Sequence, residues 1–106
     1  MSEAIEETTG SVLYDLALPD APVLALKAAL ARHIRRVLKE RGLTQVKAAA
    51  LTGIPQSEIS LLTNYKLEGI SIERMLRALT ALGVDVQVLL REHEGGAPGT
   101  IAVDAG

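Results

Sequence analysis

Histidine is the side chain most often placed for proton transfer or metal binding near neutral pH. This chain has two, His33 and His93. The first falls mid-helix and the second in a polar tail, and neither has an acid–base partner or ligand spacing beside it. The absence of cysteine excludes disulfide frameworks and thiolate metal sites. Gly95-Gly96 is an isolated pair, not a phosphate-cradling loop. These residues assemble no enzyme, and no cofactor or metal is expected.

What the polar residues do form is one organised stretch, Thr44 to Asn64, reading TQVKAAALTGIPQSEISLLTN. Gln45 to Leu51 is helix-permissive and built on the small residues Ala48, Ala49 and Ala50. Thr52-Gly53-Ile54 breaks it, and Pro55 opens a second short helical run, Gln56 to Thr63. Two short helices joined by a tight glycine-containing turn make a helix-turn-helix unit, which sets its second helix in the DNA major groove. Thr44 is the expected N-cap, its hydroxyl meeting an orphan amide of the first turn.

The charge follows the same centre. The net charge is −2, but residues 1–26 carry −5, residues 27–66 carry +6 and residues 67–106 carry −3. The positive block coincides with the unit, giving the local field that phosphate binding needs. A solvated basic face would look the same, so charge alone does not decide. Lys47 sits in the first turn of its helix, where the dipole disfavours a cation by a few tenths of a kcal/mol or more. A nearby phosphate would offset that cost, and so would a lysine that swings away into water.

Around this centre the chain is expected to be one domain, 20–92, with an arm at 1–19 and a flexible tail at 93–106. The polar, acidic MSEAIEETTG is not a secretory signal. Val23 to Ala31 is interrupted by Lys27 and is too short to cross a bilayer, so the expectation is a cytoplasmic protein with no membrane contact. With Tyr14 and Tyr65 the only aromatic residues, the core must be Leu, Ile, Val, Ala and Met.

Val12 to Leu18 is either an extended arm or one helical turn. Asp20 and Pro22 signal a helix start, and a long helix is predicted from Ala21 to Arg41, ending at Gly42. Val23, Leu26, Leu30, Ile34, Val37 and Leu38 form its core stripe. Arg32, Arg35, Arg36 and Lys39 share that spacing on another face. That face reads as solvated surface, as a flank for the DNA backbone, or more remotely as a membrane-surface helix.

Beyond the unit, Tyr65 to Ile70 is a loop, and Ser71 caps a helix from Ile72 to Leu82 that buries Ile72, Met75, Leu76, Leu79 and Leu82. The period then changes. Val84, Val86, Val88 and Leu90 alternate as in a strand, and a strand needs a ladder partner. The same strand of a second copy, paired across a two-fold axis, is the expected partner; Val12 to Leu16 is the alternative within the chain. The fold class expected is therefore all-α, a compact helical bundle with a lambda-repressor-like helix-turn-helix, plus a short C-terminal strand pairing in a dimer.

Counted from Gln45 over twenty positions, Ala49 is fifth, Gly53 ninth, Ile54 tenth, Ile59 fifteenth and Leu62 eighteenth. The fifth must be small where the helices cross, and the ninth needs positive φ. The tenth, fifteenth and eighteenth lock the second helix inward. This pattern, with Leu43-Thr44-Gln45 leading in, closely resembles the XRE-type helix-turn-helix domain of phage repressors. A long preceding helix and the following SIERMLRALTALGVDVQVLLRE resemble the HigA-type antitoxins and related small XRE regulators, over roughly residues 12 to 92.

That resemblance implies that Gln56, Ser57 and Ser60 meet base edges and that Leu61 touches a thymine methyl. It also implies that Thr44 and Gln45 approach phosphate. Base-edge contacts specify while backbone contacts position, and Gln suits adenine N6/N7. With Lys47, Asn64 and Lys66 these complete the DNA-facing set. The dimer interface is assigned to Val84, Val86, Val88 and Leu90. The partners implied are double-stranded operator DNA with two half-sites, a second copy of the chain and a RelE/HigB-like toxin. A stand-alone repressor, or an interaction module that has lost DNA binding, are the alternatives.

Three departures from the family pattern stand out. Pro55 replaces a capping Ser or Thr, and Glu58 puts a negative charge near DNA. Tyr65 sits where a Gly often follows, so Asn64 is expected to take the left-handed conformation.

Overall fold

The computed structural model describes residues 21–104, which form four helices: α1 (Ala21–Glu40), α2 (Gln45–Thr52), α3 (Gln56–Thr63) and α4 (Ile72–Ala81). The Asp20 cap and the Val12–Leu18 segment lie outside the described residues. The helices match the periodic segments to within a residue at each end, because the stop signals are glycines in the left-handed region. At Gly42 (φ 63°) the Leu43 N–H reaches back to Leu38 O at 2.9 Å and the Gly42 N–H to Lys39 O at 3.1 Å. This paired capping satisfies carbonyls that the helix end leaves open. α4 ends identically at Gly83 (φ 84°), with Val84 N–H to Leu79 O at 2.9 Å and Gly83 N–H to Thr80 O at 2.9 Å.

α3 ends in the same motif without a glycine. Lys66 N–H donates to Leu61 O at 2.9 Å and Tyr65 N–H to Leu62 O at 3.2 Å, which puts Tyr65, not Asn64, in the left-handed position. Tyr65 has φ 58°, whereas Asn64 has φ −104°. The expectation for Asn64 is corrected by this register. Asn64 instead spends its side-chain amide on Ser60 O at 2.9 Å.

α1 packs against α3 and α4, and α2 packs against α3 and α4. The largest fully buried side chains are Ile34 of α1, Ile59 and Leu62 of α3, Ile70 of the connecting loop and Met75 of α4. Each contributes roughly 1.5–3 kcal/mol by leaving water. On α1, Leu30, Ile34, Val37 and Leu38 are buried as the stripe predicts, Leu26 is half-buried, and Val23 is exposed. The stripe shifts at its N-terminal end, where Ala25 is buried in place of Val23. On α4, Met75, Leu79 and Leu82 are buried with Ala78, and Ile72 and Leu76 pack against them from the edge.

The predicted strand is not seen among the described residues, and its candidate partner within the chain, Val12 to Leu16, lies outside them. The 84–90 segment has no regular secondary structure. The physical reason is the one that made it an orphan: a strand is defined by its ladder, and no described segment pairs with it. Val84 packs against the core, but Val88 is 76% and Leu90 86% exposed.

Candidate nucleic-acid interface

α2 and α3 meet through a turn fastened at both ends. Gly53 (φ 76°) donates its N–H to Ala49 O at 2.9 Å. Thr52 Oγ1 donates to Ala48 O at 2.8 Å and accepts from Ile54 N–H at 3.1 Å. Ala48 is fully buried, and Ala49 is half-buried and packed against the core. Ile54, Ile59 and Leu62 face inward as the spacing demands, each 5% exposed or less.

That inner face fixes the outer one. With Ile59 and Leu62 locked into the core, Gln56, Ser57, Leu61 and Asn64 emerge exposed and Ser60 is half-buried beside them. At the start of α2, the Thr44 hydroxyl accepts from Lys47 N–H at 3.1 Å, as expected of an N-cap, and the Lys47 side chain stays exposed. Lys66 is exposed just beyond α3. Gln45 is half-buried, and its Nε2 donates to Thr63 Oγ1 at 3.3 Å, tying the start of α2 to the end of α3. Its side chain is therefore part of the joint between the helices.

Pro55 (φ −55°, ψ 144°) gives α3 no side-chain cap, but its carbonyl accepts from Glu58 N–H at 2.9 Å and Ile59 N–H at 3.1 Å. The rigid ring presets the turn that a serine or threonine would have secured by hydrogen bonding. Glu58 proves to be anchored rather than free. Its Oε1 lies 2.8 Å from Arg74 Nε, linking α3 to α4, in an ion pair not aligned as a hydrogen bond. The pair sets a positive charge against the carboxylate of Glu58. Nothing in the local pattern of either helix marks Arg74 as its partner, since the residues are brought together by packing.

The basic face of α1 reaches the end of α3 at Tyr65. Arg32, Arg35, Arg36 and Lys39 are all exposed, and the Arg35 guanidinium lies over the Tyr65 ring. Tyr65 follows α3 directly, so these cations are continuous with the C-terminal end of that helix. Arg36 Nη2 lies 3.2 Å from both ring nitrogens of His33. Burial, and then the Arg36 charge, hold His33 below its ordinary 6.5, while Glu40 pulls the other way. Two further cations serve the frame: Lys27 Nζ donates to Leu67 O at 3.2 Å, and Arg41 Nη1 donates to Leu82 O.

Among the described residues no cluster of His, Asp or Glu could hold a metal ion, and no helix is long and apolar enough to cross a membrane.

The arrangement is matched by known proteins. A family model described as a helix-turn-helix domain aligns with residues 12–91. A solved structure named "Putative XRE Family Transcriptional Regulator" is similar over 83% of this chain and 100% of its own, at 40% identity and a TM-score of 0.77. No curated protein matches.

Proposed function

The chain belongs to the XRE-type helix-turn-helix family of DNA-binding regulators, and on that premise we propose that it is a sequence-specific repressor working as a homodimer in the cytoplasm. The observation that carries this reading is the outer face of α3. Gln56, Ser57, Leu61 and Asn64 are exposed on a helix held rigid from behind by Ile59 and Leu62, within the block of +6 charge at residues 27–66. α3 lies in the major groove with Gln56, Ser57 and Ser60 at base edges and Leu61 against a thymine methyl. Thr44, Gln45, Lys47, Asn64 and Lys66 set the register on phosphate and flanking positions. Two such units read half-sites about one helical turn, roughly 34 Å, apart.

In the finer reading the chain is an antitoxin of the HigA-like branch, repressing its own operon and blocking a RelE/HigB-like toxin. What supports this is the sequence frame: a long helix before the motif and the SIERMLRALTALGVDVQVLLRE segment after it. The decisive test of DNA binding is titration of the chain against duplex from its own promoter and against scrambled duplex of equal length. Equal affinity for the two would sink sequence-specific repression. The antitoxin role is tested separately by co-expression with the adjacent reading frame, which should encode a small basic protein whose toxicity the chain relieves. Undiminished toxicity leaves the stand-alone repressor.

A further inference from the structure

From Asp85 to Asp104 every residue is exposed except Ala97 and Val103. Val103 has a specific neighbour. It forms one wall of an open groove whose other walls include Arg32, Arg35, Arg36 and Lys39 of α1 and the ring of Tyr65. Ile101 and Asp104, on either side, are each engaged in contacts as well. A tail otherwise in water therefore returns to the body at the face where four cations stand together.

Charge favours that seat. Residues 91–106 carry Glu92, Glu94 and Asp104 against Arg91, a net of −2. The α1 face has the opposite sign, with Glu40 the one acid near its end. An apolar anchor of one valine is weak by itself, but a tethered segment acts at high effective concentration and has no translational entropy left to lose. The same cations adjoin the end of α3 through the Arg35–Tyr65 contact, where the backbone of a bound duplex would run.

We propose that the C-terminal tail, seated by Val103, is an intramolecular competitor for the basic face of α1, which phosphate backbone must displace when DNA binds. This rests on the DNA-binding reading above and extends it from the recognition helix to its control. With the tail seated, the α1 cations contribute little to affinity, and binding depends on what α3 reads. With the tail removed, generic phosphate contacts are added, so affinity rises for every sequence and discrimination narrows.

The test compares the full chain with one ending after Leu90, which removes Glu92, Glu94 and Asp104 and keeps the 84–90 row, and with Val103→Ser in the full chain, where the apolar anchor is lost and no charge is added. Affinity is measured for a scrambled duplex across a salt series, and for heparin, a polyanion with no sequence. Both variants should bind scrambled duplex about three- to tenfold more tightly than the full chain, with a salt slope steeper by roughly 0.9 per phosphate gained. In an Arg32→Gln, Arg36→Gln, Lys39→Gln background the gain should vanish; Arg35 is spared because it holds Tyr65. A spin label at Ala102→Cys, in a chain with no other cysteine, should broaden the amides of residues 32–39 until heparin is added. Unchanged or weaker polyanion binding after truncation overturns the proposal, as does a label that leaves α1 unaffected. Tighter heparin binding in the variants without any duplex binding would uphold the tail as competitor while overturning the repressor reading.

Discussion

The guanidinium carbon of Arg35 stands 5.5 Å from the centroid of the Tyr65 ring, joining the middle of α1 to the residue that ends α3. Tyr65 is there against local preference, since its φ of 58° costs a non-glycine residue roughly 1–2 kcal/mol. A cation over an exposed ring returns about 0.5–1 kcal/mol, so the contact offsets much of the strain. Tyr65→Gly should therefore be close to neutral in urea unfolding. Tyr65→Ala keeps the strain and loses the ring, and should fall about 1 kcal/mol below Tyr65→Gly. An alanine variant as stable as the glycine one would contradict a strained Tyr65.

Arg74 fixes the back of the recognition helix through Glu58, at 2.8 Å and with both side chains partly exposed. Partly exposed pairs couple by about 0.2–1 kcal/mol, and a double-mutant cycle with Arg74→Gln and Glu58→Gln should return a value in that range. The single change Arg74→Gln should also weaken DNA binding, because it removes one positive charge and leaves the Glu58 carboxylate uncompensated in the field a duplex would meet. Glu58→Gln should not weaken it. Equal losses of affinity in both would show that the pair acts only by positioning α3.

Gln56 and Lys47 separate the two kinds of contact on the proposed interface. Gln56→Ala removes a base-edge group and should cost about 1–3 kcal/mol on the preferred operator while leaving scrambled duplex unaffected. Lys47→Ala removes a phosphate contact and should weaken all sequences alike, reducing the salt slope by about 1. Its folding stability should not drop, since a cation in the first turn opposes the helix dipole. Sequence-independent losses from Gln56→Ala would move that residue off the bases.

His33 gives the fold a pH dependence of known sign. Burial and Arg36 make it harder to protonate in the folded chain than in the unfolded one, where its value is near 6.5. Below about pH 6.5 the unfolded state binds more protons. Stability should then fall with pH until the folded value is passed, and level off beneath it. Urea midpoints from pH 8 to pH 5 should decline less in His33→Gln than in the unaltered chain. Parallel curves would remove His33 as the source.

Much of this was legible in the sequence because it rests on local rules. Gly42, Gly53 and Gly83 each take the positive φ that ends a helix. Ile54, Ile59 and Leu62 fall inward because a turn of fixed length leaves them no alternative, and the outward set on α3 follows from them. The features that could not be read ahead are the ones packing creates. Glu58 and Arg74 come from different helices, Gln45 and Thr63 bond across the unit, and Arg35 meets Tyr65 only once α1 crosses α3. Tyr65 was displaced in expectation by Asn64 because residue preference pointed to Asn, whereas the hydrogen bonds from Lys66 and Tyr65 fix the register.

The segment after α4 carries the last prediction. Val84 is pinned by its N–H bond to Leu79 O at 2.9 Å and by the core, but exposure then climbs along the same alternate positions, from 36% at Val86 to 76% at Val88 and 86% at Leu90. An apolar row with free backbone donors and acceptors is poorly suited to water and well suited to pairing with its own copy. Light scattering at micromolar concentration should therefore give twice the chain mass, and Val88→Asp or Leu90→Asp should give the single mass with helical circular dichroism intact. Those variants should also lose affinity for a two-half-site operator much more than for a single half-site, because the second contact ceases to be intramolecular. A strict monomer in the unaltered chain would leave Val84, Val86, Val88 and Leu90 without the partner that their alternation calls for, and would require two independent chains on the operator.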